Sequence, residues 1–282
     1  MIIDIYTHIA PKSFLDRMVE LAPKLGNIVN RLLSVKPLYD LDVRFRDMDT
    51  VQDYRQLVSL PTPSLEEIGP ASTGLELSRI ANDELAELCR KYPDRFVGFA
   101  AAVHLGDVDA AIREADRAIH QNGAKGVLIY NHVDGIPLDD KRFRPFFAAM
   151  AEWGRPIWLH PTRTAAAVKD YASEEKSRFE MWWCFGWPYD TSVAMARLVF
   201  DGLFDRHPNL DIITHHMGGM IPFFDGRVDA GAARSSNRHQ RRPQRLGPRH
   251  GGASRTVATQ RRREGTPGRG QGVALQAHPA PC

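Results

Sequence analysis

Cysteine is scarce: Cys89, Cys184 and Cys282 are three in 282 residues and lie far apart. Such spacing excludes a disulfide framework and predicts a reducing, cytoplasmic setting, with Cys89 and Cys184 serving as packing residues. No apolar run reaches the roughly 18 residues that a membrane helix needs, so no membrane partner is expected. The first residues lack the basic start and small-residue cleavage site of a secretory signal. Self-similarity at a period of roughly 20–50 residues is also missing, which excludes a solenoid or propeller. The last fifth of the chain lacks something else. After Ala230 there is no Phe, Trp, Tyr or Ile, and after Asp229 no Asp.

The formal charge of +3 hides two kinds of sequence. Residues 232–282 carry eleven arginines and one acid, Glu264, for +10, whereas residues 1–231 hold 26 Lys and Arg against 33 Asp and Glu, for −7. The basic part is rich in Arg, Gly and Pro and has no helix or strand periodicity. It cannot bury enough surface to offset chain entropy, so residues 231–282 are expected to be a disordered tail. Its composition resembles a GC-rich gene read out of frame. An RNA-binding tail is the competing reading, and it lacks aromatic stacking residues. Nucleic acid is therefore not the expected partner.

Residues 1–230 alternate strand and helix patterns. Apolar runs at 2–8, 56–60, 96–100, 126–130 and 156–160, and another beginning at Leu210, read as six buried strands. The period-two rule puts Asp4, Tyr6 and His8 on one face of the first. Helices are predicted after Pro11, over 42–53, over 74–92, from an Asp107 cap, over 140–153, and from an Asp190 or Thr191 cap with Val193, Ala196, Val199, Phe200 and Leu203 inward. Residues 23–41, with Pro23, Gly26 and Pro37, read as an irregular loop. The βαβα order implies a parallel α/β barrel with six of the eight units of a TIM barrel, leaving two unpaired edges.

Three of these strands end on histidine: His8, His160 and the His215-His216 pair. Side chains at the C-terminal strand ends of such barrels converge on one face, and neutral imidazole suits Zn²⁺ and similar ions. His120 and His207 fall on helices or their ends and are expected at the surface. The aromatic cluster over 182–189 reads equally as a satellite core or as a wall around a ligand.

Asp4-Ile5-Tyr6-Thr7-His8 with Pro11, Arg44-Phe45-Arg46-Asp47-Met48-Asp49, Tyr92-Pro93-Asp94-Arg95-Phe96, Trp158-Leu159-His160-Pro161 and His216-Met217-Gly218-Gly219 with Pro222 together resemble the amidohydrolase superfamily. The resemblance is to the group around aminocarboxymuconate-semialdehyde decarboxylase. The motifs come in family order and cover residues 1–230. The resemblance implies a metal-dependent hydrolase-type barrel with a divalent metal, usually zinc and alternatively manganese, at its mouth. It also implies a small cyclic or unsaturated carboxylic acid as substrate, undergoing non-oxidative decarboxylation or hydrolysis. By the same analogy His8 and His160 hold the metal, His216 is the acid/base beside the metal-bound water, His215 turns away into packing, Arg44 meets the substrate carboxylate, and the protein forms a homodimer. Two departures stand out. Tyr6 occupies the place of the family's first metal histidine, and the tail offers no Asp for the strand-eight ligand. An inactive, truncated family member is the alternative expectation.

Overall fold

A computed structural model describes residues 1–21, 26–163 and 169–239, with 26–29 and 232–239 as backbone alone. The elements run β1 (Ile2–His8), α1 (Lys12–Leu21), α2 (Gly26–Ser34), α3 (Leu41–Met48), β2 (Tyr54–Ser59), α4 (Leu65–Ile68), α5 (Ala71–Lys91), β3 (Phe96–Ala102), α6 (Val108–His120), β4 (Gly126–Tyr130), a short hairpin β5 (His132–Val133) and β6 (Ile136–Pro137), α7 (Arg144–Glu152), β7 (Ile157–His160), α8 (Met181–Cys184), α9 (Gly186–Phe200), α10 (Leu203–Arg206), β8 (Ile212–Thr214) and α11 (Ile221–His239). The six long-range strands form one parallel sheet in the order β1-β2-β3-β4-β7-β8. All six expected strands are present, and no helix among the described residues is long and apolar enough to cross a membrane.

Alternation along the strands separates two layers. Phe99, Ala101, Val127, Ile129, Ile157, Leu159 and Ile212 face outward into the main core, where Leu85, Ala115, Phe146, Phe147 and Met195 pack against them. Leu57, Ala100, Leu128, Tyr130 and Trp158 fill the inside of the arc. Small residues allow the elements to approach: a Cβ on Gly126 would run into the Pro156 carbonyl of the neighbouring strand, so only glycine fits there. The indole of Trp158 donates to the Ile5 carbonyl across the interior at 2.9 Å. This bond ties β7 to β1, with three strands between them in the sheet order, so the arc curls strongly even though its edges are not paired with each other.

Several expectations need correction. The alternation Asp4, Tyr6, His8 does not hold, because the β1–β2 register shifts between Asp4 and Thr7. That irregularity lets Ile5 join the inner layer while Asp4 accepts from Tyr54 Oη at 2.7 Å. The loop expected over 23–41 contains α2 and a short 3₁₀ turn, Lys36–Leu38. Glycine and proline stand at their starts, where helices tolerate both. Asp190 and Thr191 do not cap α9, which begins at Gly186; Thr191, Ala194, Met195 and Leu198 are its buried face, while Val193 and Phe200 are exposed. The helix begins one turn earlier than the cap residues suggested, so Thr191 lies within it and joins Ala194, Met195 and Leu198 at helical spacing. Finally, α11 runs nine residues past Ala230, where no helix was expected. Once Ile221 has nucleated the helix, the alanines at 230, 232 and 233 extend it at little cost. The rest of the tail, from residue 240, lies outside the described residues.

Candidate metal centre and acid/base site

The C-terminal ends of β1, β7 and β8 meet. His8 ends β1, His160 ends β7, and His215 follows β8. Their ring centroids are 5.1 Å (His8 to His160), 5.2 Å (His8 to His215) and 4.7 Å (His160 to His215) apart. One nitrogen from each ring lies within 4.8 Å of the other two, and this is the one such His/Cys/Asp/Glu group among the described residues. His160 and His215 are 3% and 1% exposed and His8 is half-buried, so the cluster is largely withdrawn from water.

The hydrogen bonds fix which nitrogens are free. His8 Nδ1 lies 2.9 Å from the Leu60 carbonyl, and His160 Nδ1 lies 2.7 Å from the Pro161 carbonyl. A carbonyl only accepts, so both Nδ1 atoms carry hydrogen and both Nε2 lone pairs remain unused. His215 Nε2 is buried with no partner. Burial holds all three rings in the neutral form: His8 is pulled down to about 4, and His160 and His215 fall well below the ordinary histidine range, helped by one another's proximity. Neutral, buried imidazoles with unused lone pairs are a donor set that suits a divalent cation.

His216 sits beside this cluster and outside it. Its ring is 5.2 Å from that of His160 and is stacked on Trp187 at 5.3 Å and 19°. The backbone explains how neighbouring residues diverge. His215 is extended, with φ −65° and ψ 164°, whereas His216 and Met217 both adopt positive φ, at 53° and 58°. Two successive non-glycine residues in the left-handed region cost of order 1–3 kcal/mol each, and such strain gathers where a side chain must be aimed. Gly218 and Gly219 continue the turn, and a Cβ on Gly219 would meet the Pro188 carbonyl of α9. Desolvation lowers the pKa of His216.

The aromatic cluster is not a buried satellite core but a wall of partly exposed rings beside the histidines. Trp187 packs against His160 and His216, and Trp182 and Trp183 pack against Trp187. The Glu180 carboxylate accepts from both outer indoles at 2.8 Å and pairs with Arg31 of α2 at 3.1 Å, which pins the wall. Phe185 and Tyr189, expected in the same cluster, are largely exposed.

The expected site residues thus fall into two groups. His8, His160 and His216 come together. His215 does not turn away into packing as expected: it faces His8 and His160, because its N–H donates to the Leu159 carbonyl at 3.0 Å and seats it beside the end of β7. Arg44 lies buried beneath the end of β1. It is 5% exposed, with Nη1 donating to the His8 and Pro37 carbonyls at 2.7 and 3.0 Å and Nε to Gln56 Oε1 at 2.8 Å. In this arrangement it positions the end of β1. Sequence reasoning missed Thr162, whose N–H donates to Asn131 Oδ1 at 2.6 Å and whose hydroxyl donates to Glu67 at 3.1 Å. These contacts brace the loop after His160; the only sequence signal was a polar residue directly after a strand-ending His-Pro.

A parallel β/α arc with imidazoles gathered at its C-terminal strand ends defines a metal-site barrel of the hydrolase type. The amidohydrolase family profile matches residues 3–265, continuing past the change of composition near residue 230, and the chain belongs to that family. It is 36% identical over 208 residues to gamma-resorcylate decarboxylase of Rhodococcus jostii (strain RHA1), covering 71% of this chain and 61% of that one. It is 26% identical over 246 residues to 2-amino-3-carboxymuconate-6-semialdehyde decarboxylase of Dictyostelium discoideum, covering 81% and 66%. The chain therefore spans about three fifths to two thirds of these relatives. Among solved structures, 5-carboxyvanillate decarboxylase of Novosphingobium aromaticivorans, in complex with manganese and a nitrobenzoic acid, superposes with a TM-score of 0.73 at 26% identity, covering 86% of this chain and 72% of that one.

Proposed function

We propose that this chain is built for metal-dependent, non-oxidative decarboxylation of a small aromatic carboxylic acid. The observation that carries this reading is the placement of His216, stacked on Trp187 at the edge of a buried imidazole cluster. His8 and His160 would hold a divalent cation, manganese by the precedent of the relative above or zinc by the donor type. Such a cation, when bound, supplies Lewis-acid polarisation of a substrate oxygen. His216 moves the proton: its imidazolium protonates the ring carbon that bears the carboxylate, the C–C bond then breaks, CO₂ leaves, and the bonding pair restores the ring. Desolvation alone favours neutral His216, and an approaching carboxylate favours the charged acid form, so substrate binding arms the group. Trp187 keeps water from the face of His216 that it covers. Arg44 acts through His8, holding the end of β1, and a direct contact with the substrate carboxylate is the further role proposed for it. The unit that carries this chemistry is taken as residues 1–230, with 231–282 as a separate tail. Small acids, not nucleic acids, are its proposed partners, and a homodimer in a cytoplasmic setting its proposed state.

The test is CO₂ release from gamma-resorcylate, 5-carboxyvanillate and related hydroxylated benzoates by the purified chain with added Mn²⁺ or Zn²⁺. His216→Asn should lower turnover by about 10²–10⁴-fold with metal content unchanged, the usual range for a lost acid/base group. A metal-loaded chain that releases no CO₂ from any of these acids, or a His216→Asn variant as active as the parent, would overturn the reading.

A further inference from the structure

Tyr6 stands where the family pattern places a metal histidine, and a phenol is a poor donor to such ions unless ionised. The structure offers a different third donor. His215 is 1% exposed, its Nε2 has no hydrogen-bond partner, and its ring lies within 5.2 Å of both His8 and His160, stacked on the former at 14°. A buried polar nitrogen left without a partner is costly, and native proteins rarely leave one so unless something else occupies it. Its position is built rather than incidental. Thr214 pairs with Leu159, the next N–H donates to the Leu159 carbonyl, and the turn to positive φ at His216 sends the following ring away, 5.9 Å off and inclined by 65°. Tyr6 meets the ring of His215 edge-on at 5.4 Å and so packs against this group.

We infer that His215 is a metal ligand of this chain, completing a three-imidazole set with His8 and His160 in place of the donor missing at Tyr6. Three imidazoles would hold a divalent ion while leaving it room for a further ligand, as a site that must admit substrate requires. This inference rests on the metal reading given above.

The test uses the full chain loaded with Zn²⁺ alone. X-ray absorption at the zinc edge should count three imidazoles in the parent protein, a measurement that needs no variant. In titrations of metal-free protein, His215→Gln should weaken Zn²⁺ binding by about 100-fold or more, as His160→Gln does, while Tyr6→Phe and His216→Gln should stay within about threefold of the parent. Two imidazoles in the parent, parent-like affinity in His215→Gln, or a loss in Tyr6→Phe instead would overturn the assignment and leave the metal reading standing. A parent chain that takes up neither Zn²⁺ nor Mn²⁺ would overturn both.

Discussion

Strands β2 to β4 with their covering helices α5 to α7 differ in kind from the segment running from His160 into the first turn of α11. In the first region the side chains are close-packed: Leu77, Ala81, Leu85, Phe99, Phe143, Phe146 and Met150 are at most 1% exposed. Its central polar groups, Asn82 and Glu114, are satisfied, although Arg144 Nε of α7 is buried without a partner. Asn82 exchanges both amide groups with Ala102 and donates to Glu114 at 2.8 Å, and Glu114 accepts from Arg117. In the second region Phe179, Phe185, Tyr189, Met217 and Phe223 are exposed, and His216 and Met217 take strained backbone angles. Trp187 Nε1, Thr191 Oγ1 and His215 Nε2 are buried without partners there. One region is organised to be stable. The other adds unpaired buried donors and acceptors and off-minimum backbone geometry beside the histidine cluster, features that gather at ligand sites.

The sharpest way to break this contrast is to truncate one phenylalanine in each region. Phe99→Ala removes a side chain 1% exposed between the sheet and its helices and should cost about 3–5 kcal/mol in urea unfolding. Phe223→Ala, at 80% exposure, should change stability by no more than about 0.5 kcal/mol. Similar costs at the two positions would mean that the packed and working halves are not distinct. Next in size is Asn82→Ala, expected to cost about 2–3 kcal/mol because the Ala102 backbone and a carboxylate lose their partners within the core. Arg44→Lys probes the border between the regions. A lysine cannot reproduce the fork that binds His8, Pro37 and Gln56 together, so a loss of about 1–2 kcal/mol is expected, visible as a lower unfolding midpoint. An unchanged midpoint would show that the end of β1 does not depend on it.

The same division decides what could be read from residues alone. The alternation in Phe96–Ala102 and Gly126–Tyr130, and the helical spacing of Leu77, Ala81 and Leu85, follow hydrophobic period, and every strand they predict is found. Histidines at strand ends were legible too, because strand position fixes direction in a parallel barrel. Sequence period failed where local backbone overrides it: at the register shift in β1, at the early start of α9, and at the turn after β8. His215 was misjudged for that reason. Family analogy gives the pair one inward histidine, whereas an extended residue followed by a left-handed one directs the first ring to the cluster and the second to Trp187. The structural contacts of Arg44 were not legible, because a charged residue on an amphipathic helix carries no mark of the buried carbonyls it will meet.

The smallest effect, per group, is the response of the working region to acid. His8, His160 and His215 are held neutral in the folded chain, His8 down to about 4, while unfolded histidine titrates near 6.5. Between those values the unfolded chain binds more protons than the folded one, so stability rises with pH through this window and is flat above it. Going from pH 7 to pH 6, each such histidine should therefore cost the metal-free protein about 0.7 kcal/mol, a loss that continues down to the folded-state value. Urea midpoints at half-unit steps from pH 8 to 5 would measure the slope, and His215→Gln should make it shallower by one group's share. A bound divalent cation should steepen the acid limb, because protons then compete for the same Nε2 lone pairs. A flat profile through this window, or a slope that His215→Gln leaves unchanged, would show that these rings are not the buried neutral cluster that sets this region apart.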